Sequence, residues 1–400
     1  MRYPEPLQKG GTIGFIAPSF GCAIEPYESR FKNALKIFKE MGYKTYLGLN
    51  CYEASGIGIS NTPEKCGNEL NSVMIEKDFL DSSEYDKSDV IITCGGGELM
   101  VEVVPFIDFD AIKRSKPKWY MGYSDNTNYT FLSNILADTA AIYGPCAPAF
   151  GREPWHESVG DAFKLICGEI DEVSGYGLWE KDEAAVETSQ ESEKENDQEI
   201  NQKTEQEEIT EPDPLEPYNV NTKTELKYLL PNSGNEITDN KTEDKTENVE
   251  ILSGNNPEIR AEFSGRLLGG CVDILTLLCG TRYDKVDEFL ERYKDDGIVW
   301  FLECCDLDPL SMRRAFWQLR GAGWFRTAKG FLIGRPLHFE EEMFGADQYN
   351  AVTSILGDMG VPIVMDTDIG HLPPMMPIVS GALGDIKASG NEIKIKYLFE

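Results

Sequence analysis

Residues 118–129 read Lys-Trp-Tyr-Met-Gly-Tyr-Ser-Asp-Asn-Thr-Asn-Tyr, and few architectures accommodate such a stretch. Trp119, Tyr120 and Met121 form a short apolar run of strand composition. Gly122 allows a sharp turn, and Asp125, Asn126 and Thr127 are residue types that open helices. From Tyr129 onward, Phe131, Leu132, Ile135 and Leu136 recur at helical spacing. A strand turning on glycine directly into a helix predicts Ser124 at the apex, its hydroxyl above a sheet and a helix N-terminus behind it. This is the mechanics of a nucleophile elbow, where the backbone N–H after the serine helps hold a developing oxyanion. The usual elbow is Gly-x-Ser-x-Gly, and here its last position is Asn126. A Ser-Asp pair at such a turn also serves as an ordinary helix cap.

The surrounding chain alternates strand and helix patterns. Residues 12–18 read as a buried strand, 27–41 as a helix, 43–49 as a strand and 63–79 as a helix. Residues 90–93 form a third strand running into Cys94-Gly95-Gly96-Gly97, with a helix expected over 98–104. Such alternation predicts an α/β domain with a mostly parallel sheet, whose ligands sit at the carboxyl ends of the strands. The loops after Ala17, Cys94 and Tyr123 open there. The glycine run lacks the spacing of a dinucleotide or phosphate loop. It reads either as a tight strand-to-helix turn or as the source of a second oxyanion donor facing Ser124.

Residues 180–256 change character, being rich in Glu, Lys, Thr, Asn and Gln with few aromatics. Residues 181–250 hold 21 acidic against seven basic residues, a net −14 of the chain's −31. Such a segment buries too little surface to offset its ordering entropy. It is expected to be a solvated, partly disordered insertion, with a semi-apolar island over 226–231. The expected division is therefore an α/β domain over 1–170, a linker with the insertion over 171–258, and a smaller, β-rich α+β domain over 259–400. In that last part, 265–278 reads as a turn and an apolar helix, 297–303 as a buried strand ending on Glu303, and 361–365 as a strand leading to His371.

An acidic chain without a basic stripe excludes nucleic acid and anionic membranes as expected partners. No stretch reaches the ~18 uncharged apolar residues of a membrane span. The first residues show no apolar signal-peptide core, and ten scattered cysteines without a Cys-x-x-Cys pair suit reduced thiols, so the cytoplasm is the expected compartment. No His/Cys/carboxylate spacing suggests a metal site, and no cofactor is expected.

Three histidines are present: His156 in a polar loop, His338 before a glutamate run, and His371 ahead of the stiff Leu372-Pro373-Pro374 segment. Glu303 ends a fully apolar strand, where a carboxylate must be paired. Its partner could be Arg313 or Arg314, yet Ser124, His371 and Glu303 also supply nucleophile, base and imidazole orienter.

Several further segments share a pattern with Gly122-Tyr123-Ser124-Asp125: residues 11–19 (Gly-Thr-Ile-Gly-Phe-Ile-Ala-Pro-Ser), Gly95-Gly96-Gly97, 106–110 (Phe-Ile-Asp-Phe-Asp) and Gly144-Pro145. Leu268-Gly269-Gly270, Phe301-Leu302-Glu303, Gly370-His371 and Pro377 continue it. In their order and spacing the chain resembles the LD-carboxypeptidase family of serine peptidases, which includes the microcin C self-immunity peptidases. The resemblance covers nearly everything but the acidic insertion. It implies a Ser-Glu-His triad at Ser124, Glu303 and His371, with an oxyanion hole from the N–H of Asp125 and of Gly96 or Gly97. It also implies an α/β amino-terminal and a β-rich carboxyl-terminal domain, no metal, and a homodimer. Thr93-Cys94 stands where an arginine usually precedes the glycines, and Cys304 where an acid usually follows the glutamate. These departures leave the substrate open between an L,D-linked muropeptide and a peptide-nucleotide, leaning to the immunity branch. The competing class is a non-catalytic small-molecule or peptide-binding protein on the same fold.

Overall fold

The computed structural model describes residues 1–76, 78, 88–181, 213–231 and 250–399. Strands β1 (Thr12–Ile16), β2 (Lys44–Leu47), β3 (Val90–Thr93), β4 (Trp119–Gly122) and β5 (Ala141–Tyr143) lie side by side in the order β5-β4-β3-β1-β2. All five run parallel. The central strands are apolar on both faces because helices cover both. Helices α1 (Tyr27–Glu40) and α5 (Glu157–Ile166) pack with Phe15, Ile92 and Met121. Helices α2 (Pro63–Met74), α3 (Phe109–Arg114) and α4 (Thr127–Ala137) pack with Ile91 and Tyr120 on the other face.

The chain then builds a second sheet. Its strands are β6 (Glu172–Ser174), β9 (Lys227–Leu229), β10 (Leu252–Ser253), β11 (Arg260–Cys271), β12 (Ile298–Glu303), β13 (Ala328–Gly334), β14 (Ile363–Thr367), β16 (Leu383–Ser389) and β17 (Glu392–Leu398). They run in the order β10-β9-β14-β13-β12-β11-β16-β17-β6, with a parallel core from β11 to β14 and antiparallel flanks. Helices α6 (Val272–Leu278), α7 (Val286–Arg292), α8 (Pro309–Gly321) and α9 (Gln348–Leu356) accompany it, and β7 (Leu178–Trp179) pairs with β8 (Thr222–Lys223) as a short ribbon. Strand β15 (Ile378–Ser380) crosses back and adds antiparallel to β5. A mixed α/β fold with a parallel-sheet first part and a strand-rich second part is therefore present. Every residue of α4 except Leu136 is buried, since this helix lies between the β4 side of the first sheet and β11 of the second.

Three local expectations are corrected. Residues 98–104 do not make an α-helix: two 3₁₀ turns, Met100–Glu102 and Val104–Phe106, take their place, where Pro105 and valines disfavour a longer helix. Residues 265–271 are not a turn but the end of β11, which pairs with β12 on one side and, through its earlier residues, with β16 on the other. Their glycines allow close backbone approach, an added Cβ at Gly270 falling 2.7 Å from Thr127. The helix expected over 63–79 stops at Met74, Ile75 being extended at φ −100° and ψ 135°. Within 181–250 the semi-apolar island packs into the second sheet, and a further stretch is anchored to the first part of the chain. Tyr228 is buried and pairs with Val364, the carbonyl of Leu215 accepts from Glu153 N–H at 2.8 Å, and Arg30 Nε donates to the Pro214 carbonyl at 2.7 Å. The expected disorder over 182–212 and 232–249 lies outside the described residues. Among the described residues no helix is long and apolar enough to cross a membrane.

Candidate active site

Strand β4 delivers Tyr123 in extended geometry (φ −137°), and the next residue, Ser124, stands at φ 62°, followed by a 3₁₀ turn over Ser124–Asn126 and then α4. A non-glycine residue in the left-handed region costs about 1–3 kcal/mol and persists only where its surroundings impose it. Here Asn126 does much of the imposing. Its Nδ2 donates to the carbonyls of Gly95 (2.8 Å) and Tyr123 (3.1 Å), and its Oδ1 accepts from Tyr120 Oη at 2.6 Å. The asparagine that departs from the usual elbow thus ties the serine turn to the glycine turn after β3.

His371 connects this turn to the second sheet. Its Nε2 lies 2.9 Å from Ser124 Oγ and its Nδ1 lies 2.9 Å from Glu303 Oε2. A carboxylate only accepts, so Nδ1 carries the proton and Nε2 is left to accept from the serine hydroxyl. Glu303, the last residue of β12, is 0 % exposed, while the His371 side chain is 13 % exposed. Burial pushes the Glu303 carboxyl up, but the facing imidazole and the Tyr143 hydroxyl outweigh it and hold it below its ordinary value. Burial likewise pulls His371 down, and the Glu303 carboxylate overrides that and raises it well above the usual imidazole range. Gly370 permits this contact: its φ is +118°, and a Cβ there would sit 2.9 Å from Glu303 Oε2.

Gly96 lies against the hydroxyl, since its added Cβ would come 3.1 Å from Ser124 Oγ. Gly97 packs instead on Ser19, where a Cβ would fall 2.2 Å from Oγ. The Asp125 side chain is a brace beneath the turn, accepting from Ser19 Oγ (2.5 Å), Met100 N–H (2.8 Å) and Asn128 Nδ2 (2.9 Å). Burial pushes its carboxyl up to about 6.

Ser124, Glu303 and His371 are thus brought together, with Gly96 beside the hydroxyl and the Asp125 side chain beneath the turn. The other histidines stand apart. His156 caps α5 by accepting from Ser158 N–H at 3.1 Å, and His338 faces Glu341 at 2.8 Å. Arg313 does not pair with Glu303 but donates to Asn350 at 3.1 Å. Cys304 is buried, and Cys305 lies near the imidazole, burial raising its thiol while His371 lowers it. Tyr143 carried no signal in sequence beyond its place before Gly144-Pro145, yet its hydroxyl donates to Glu303 Oε1 and accepts from Ser124 N–H at 3.1 Å. Among the described residues, no group of three or more His, Cys, Asp or Glu side chains is placed to hold a metal ion.

The chain is 23 % identical over 395 residues to the microcin C7 self-immunity protein MccF of Escherichia coli, covering 98 % of this chain and 94 % of that protein. It is 23 % identical over 409 residues to a Vibrio cholerae protein bearing the name carboxypeptidase, covering 99 % and 98 %. Among solved structures, an MccF-like protein from Bacillus anthracis superposes with a TM-score of 0.68 at 20 % identity over the whole of both chains. MccF in complex with aspartyl sulfamoyl adenosine superposes at 0.61 and 19 % identity, over 99 % of this chain and 98 % of that one. The profile of the LD-carboxypeptidase N-terminal domain matches residues 13–144 and that of the LD-carboxypeptidase C-terminal domain residues 264–386, so the chain belongs to the LD-carboxypeptidase family of serine peptidases.

Proposed function

We propose that this chain hydrolyses an amide bond as a carboxypeptidase-type serine peptidase. The observation that carries the reading is the continuous hydrogen-bonded line from Ser124 Oγ through both nitrogens of His371 to Glu303, ending on an elbow at φ 62°. Ser124 Oγ attacks the carbonyl carbon while His371 Nε2 takes the serine proton and then passes it to the leaving amine. The buried Glu303 carboxylate fixes the tautomer and offsets the imidazolium charge. The N–H groups of Asp125 and of Gly96 or Gly97 hold the oxyanion, and water then releases the acyl group from Ser124 by the same proton path.

The substrate is a small peptide or peptide-nucleotide: an L,D bond in a muropeptide, or a microcin C-like conjugate. Support for the second comes from MccF, solved with aspartyl sulfamoyl adenosine. The proposed setting is a cytoplasmic homodimer, acting in peptidoglycan recycling or toxin immunity. The proposed division remains 1–170 with the nucleophile and 259–400 with Glu303 and His371, joined by 171–258. Ser124→Ala should abolish turnover, a loss of order 10⁴–10⁶ by analogy with other serine hydrolases, without changing the melting temperature. A fluorophosphonate probe should label the wild type at Ser124, and mass spectrometry of muropeptide and aspartyl sulfamoyl adenosine digests should identify the bond cut. A folded wild type that neither labels nor cleaves is a binding protein, not a peptidase.

A further inference from the structure

The two halves of the site come from different sheets, and one buried side chain is bonded to both. Tyr143 ends β5, where the register sets it beside Gly122 of β4, and its ring packs 5.5 Å from Phe301 of β12. Its hydroxyl accepts from Ser124 N–H at 3.1 Å and donates to Glu303 Oε1, the oxygen that His371 does not use. We infer that Tyr143 is a positioning residue that locks the elbow backbone and the Glu303 carboxylate into one hydrogen-bonded unit, keeping serine, imidazole and carboxylate in line. This rests on the peptidase reading above.

The arrangement has two chemical consequences. First, the hydroxyl occupies the Ser124 N–H, so oxyanion stabilisation falls to the N–H groups of Asp125 and the glycine turn. Second, a phenol donating to Oε1 spreads part of the carboxylate charge away from Oε2. Without that donor Glu303 attracts the His371 proton more strongly, and the neutral imidazole that serves as base appears only at higher pH. Other titratable groups also face the pair: Cys271 at the end of β11 and Asp273 after it, Cys304 and Cys305 after β12, and Cys146 after β5. Burial raises all five, and Asp273 is held by N–H donors from Cys305 (3.1 Å) and Asp306 (2.9 Å). None of them changes in the variants below, so a difference between variants reports Tyr143.

The test needs no natural substrate. A fluorophosphonate reacts when Ser124 Oγ bonds to phosphorus, fluoride leaves, and the serine proton passes to His371 Nε2. Its labelling rate against pH therefore reports the same base. Tyr143→Phe keeps the ring and removes both bonds. The plateau rate should fall by about 10- to 100-fold, as expected for losing a hydrogen bond to a charged group, and the acid limb should move to higher pH. The His371 imidazole signal, one of three histidines in the chain, should titrate higher by the same amount in proton NMR. Trifluorotyrosine at position 143, a more acidic phenol and stronger donor, should move the limb the other way, and it decides the matter if Tyr143→Phe fails to fold. The inference is overturned if the wild type labels at Ser124 and the acid limb stays in place in the folded variants, even with a lower plateau, because Tyr143 is then only packing. A folded wild type that never labels overturns the peptidase reading itself, and the inference with it.

Discussion

Replacing Glu303 with glutamine tests the proposed chemistry at its most buried point. The amide fills the same volume at the end of β12, but one of its two oxygens becomes an NH₂ group. Tyr143 Oη already accepts from Ser124 N–H and donates to Oε1, so the glutamine oxygen belongs on that side. The NH₂ then faces His371 Nδ1, where an acceptor stood 2.9 Å away. The imidazole can satisfy it only by moving its proton to Nε2, which leaves no lone pair for the serine hydroxyl. A wrong tautomer at an intact triad costs about 10⁴ in kcat, or ~5–6 kcal/mol of barrier. The charge has its own signature. In the wild type the Glu303 carboxylate raises His371 against the pull of burial, so the base form appears only above the ordinary imidazole range of about 6.5. Glu303→Gln removes the raising interaction and leaves burial, so the residual activity should have its acid limb at lower pH. Fluorophosphonate labelling rates between pH 5 and 10, with circular dichroism to establish folding, read both effects. A folded variant within tenfold of wild type, or an unmoved acid limb, would refute the assignment of Glu303 as orienter.

Other outcomes follow from the same contacts. Gly370→Ala places a Cβ 2.9 Å from Glu303 Oε2 at φ +118°, so labelling should slow by about 100-fold through displaced geometry, with a thermal shift of a few degrees; a wild-type rate would mean that the loop yields freely. Asp125 binds its proton more tightly folded than unfolded, its carboxyl standing at about 6, so it lowers wild-type stability by about 2 kcal/mol as pH rises from 4 to 6. Asp125→Asn should lack that decline in urea titrations, and parallel curves for the two proteins would count against it. Replacing 182–212 with a short Gly/Ser linker should leave melting temperature and labelling rate unchanged, because closure entropy grows only logarithmically with length. Extending the deletion through 222 should lower the melting temperature, since it removes the Pro214 and Leu215 carbonyls bonded to Arg30 and Glu153. Equal melting temperatures for the two deletions would contradict that anchoring.

The sequence by itself determined the parts whose causes are local. Short apolar runs marked β1 to β4 of the first sheet, helical spacing marked α1 and α4, and a serine between a strand and a helix start marked the elbow. Glu303 was legible because a carboxylate on an otherwise apolar strand requires a partner. Its neighbours in sequence left arginine and histidine open as partners, and only the family resemblance pointed to His371. His371 lies 68 residues beyond Glu303 and 247 beyond Ser124, and Tyr143 lies 160 residues before the carboxylate it donates to. Nothing in the neighbours of a buried tyrosine distinguishes a core ring from one whose hydroxyl spans two sheets. The misread segments have the same origin. Gly269 and Gly270 look like a turn, and extend because β12 lies alongside on one edge. The island over 226–231 was visible by its apolar residues, but that Lys227–Leu229 forms a strand depends on the edge that β14 offers. Local preference is worth tenths of a kcal/mol per residue, whereas pairing and burial against a distant strand contribute several times that, so tertiary contacts decide wherever the two conflict.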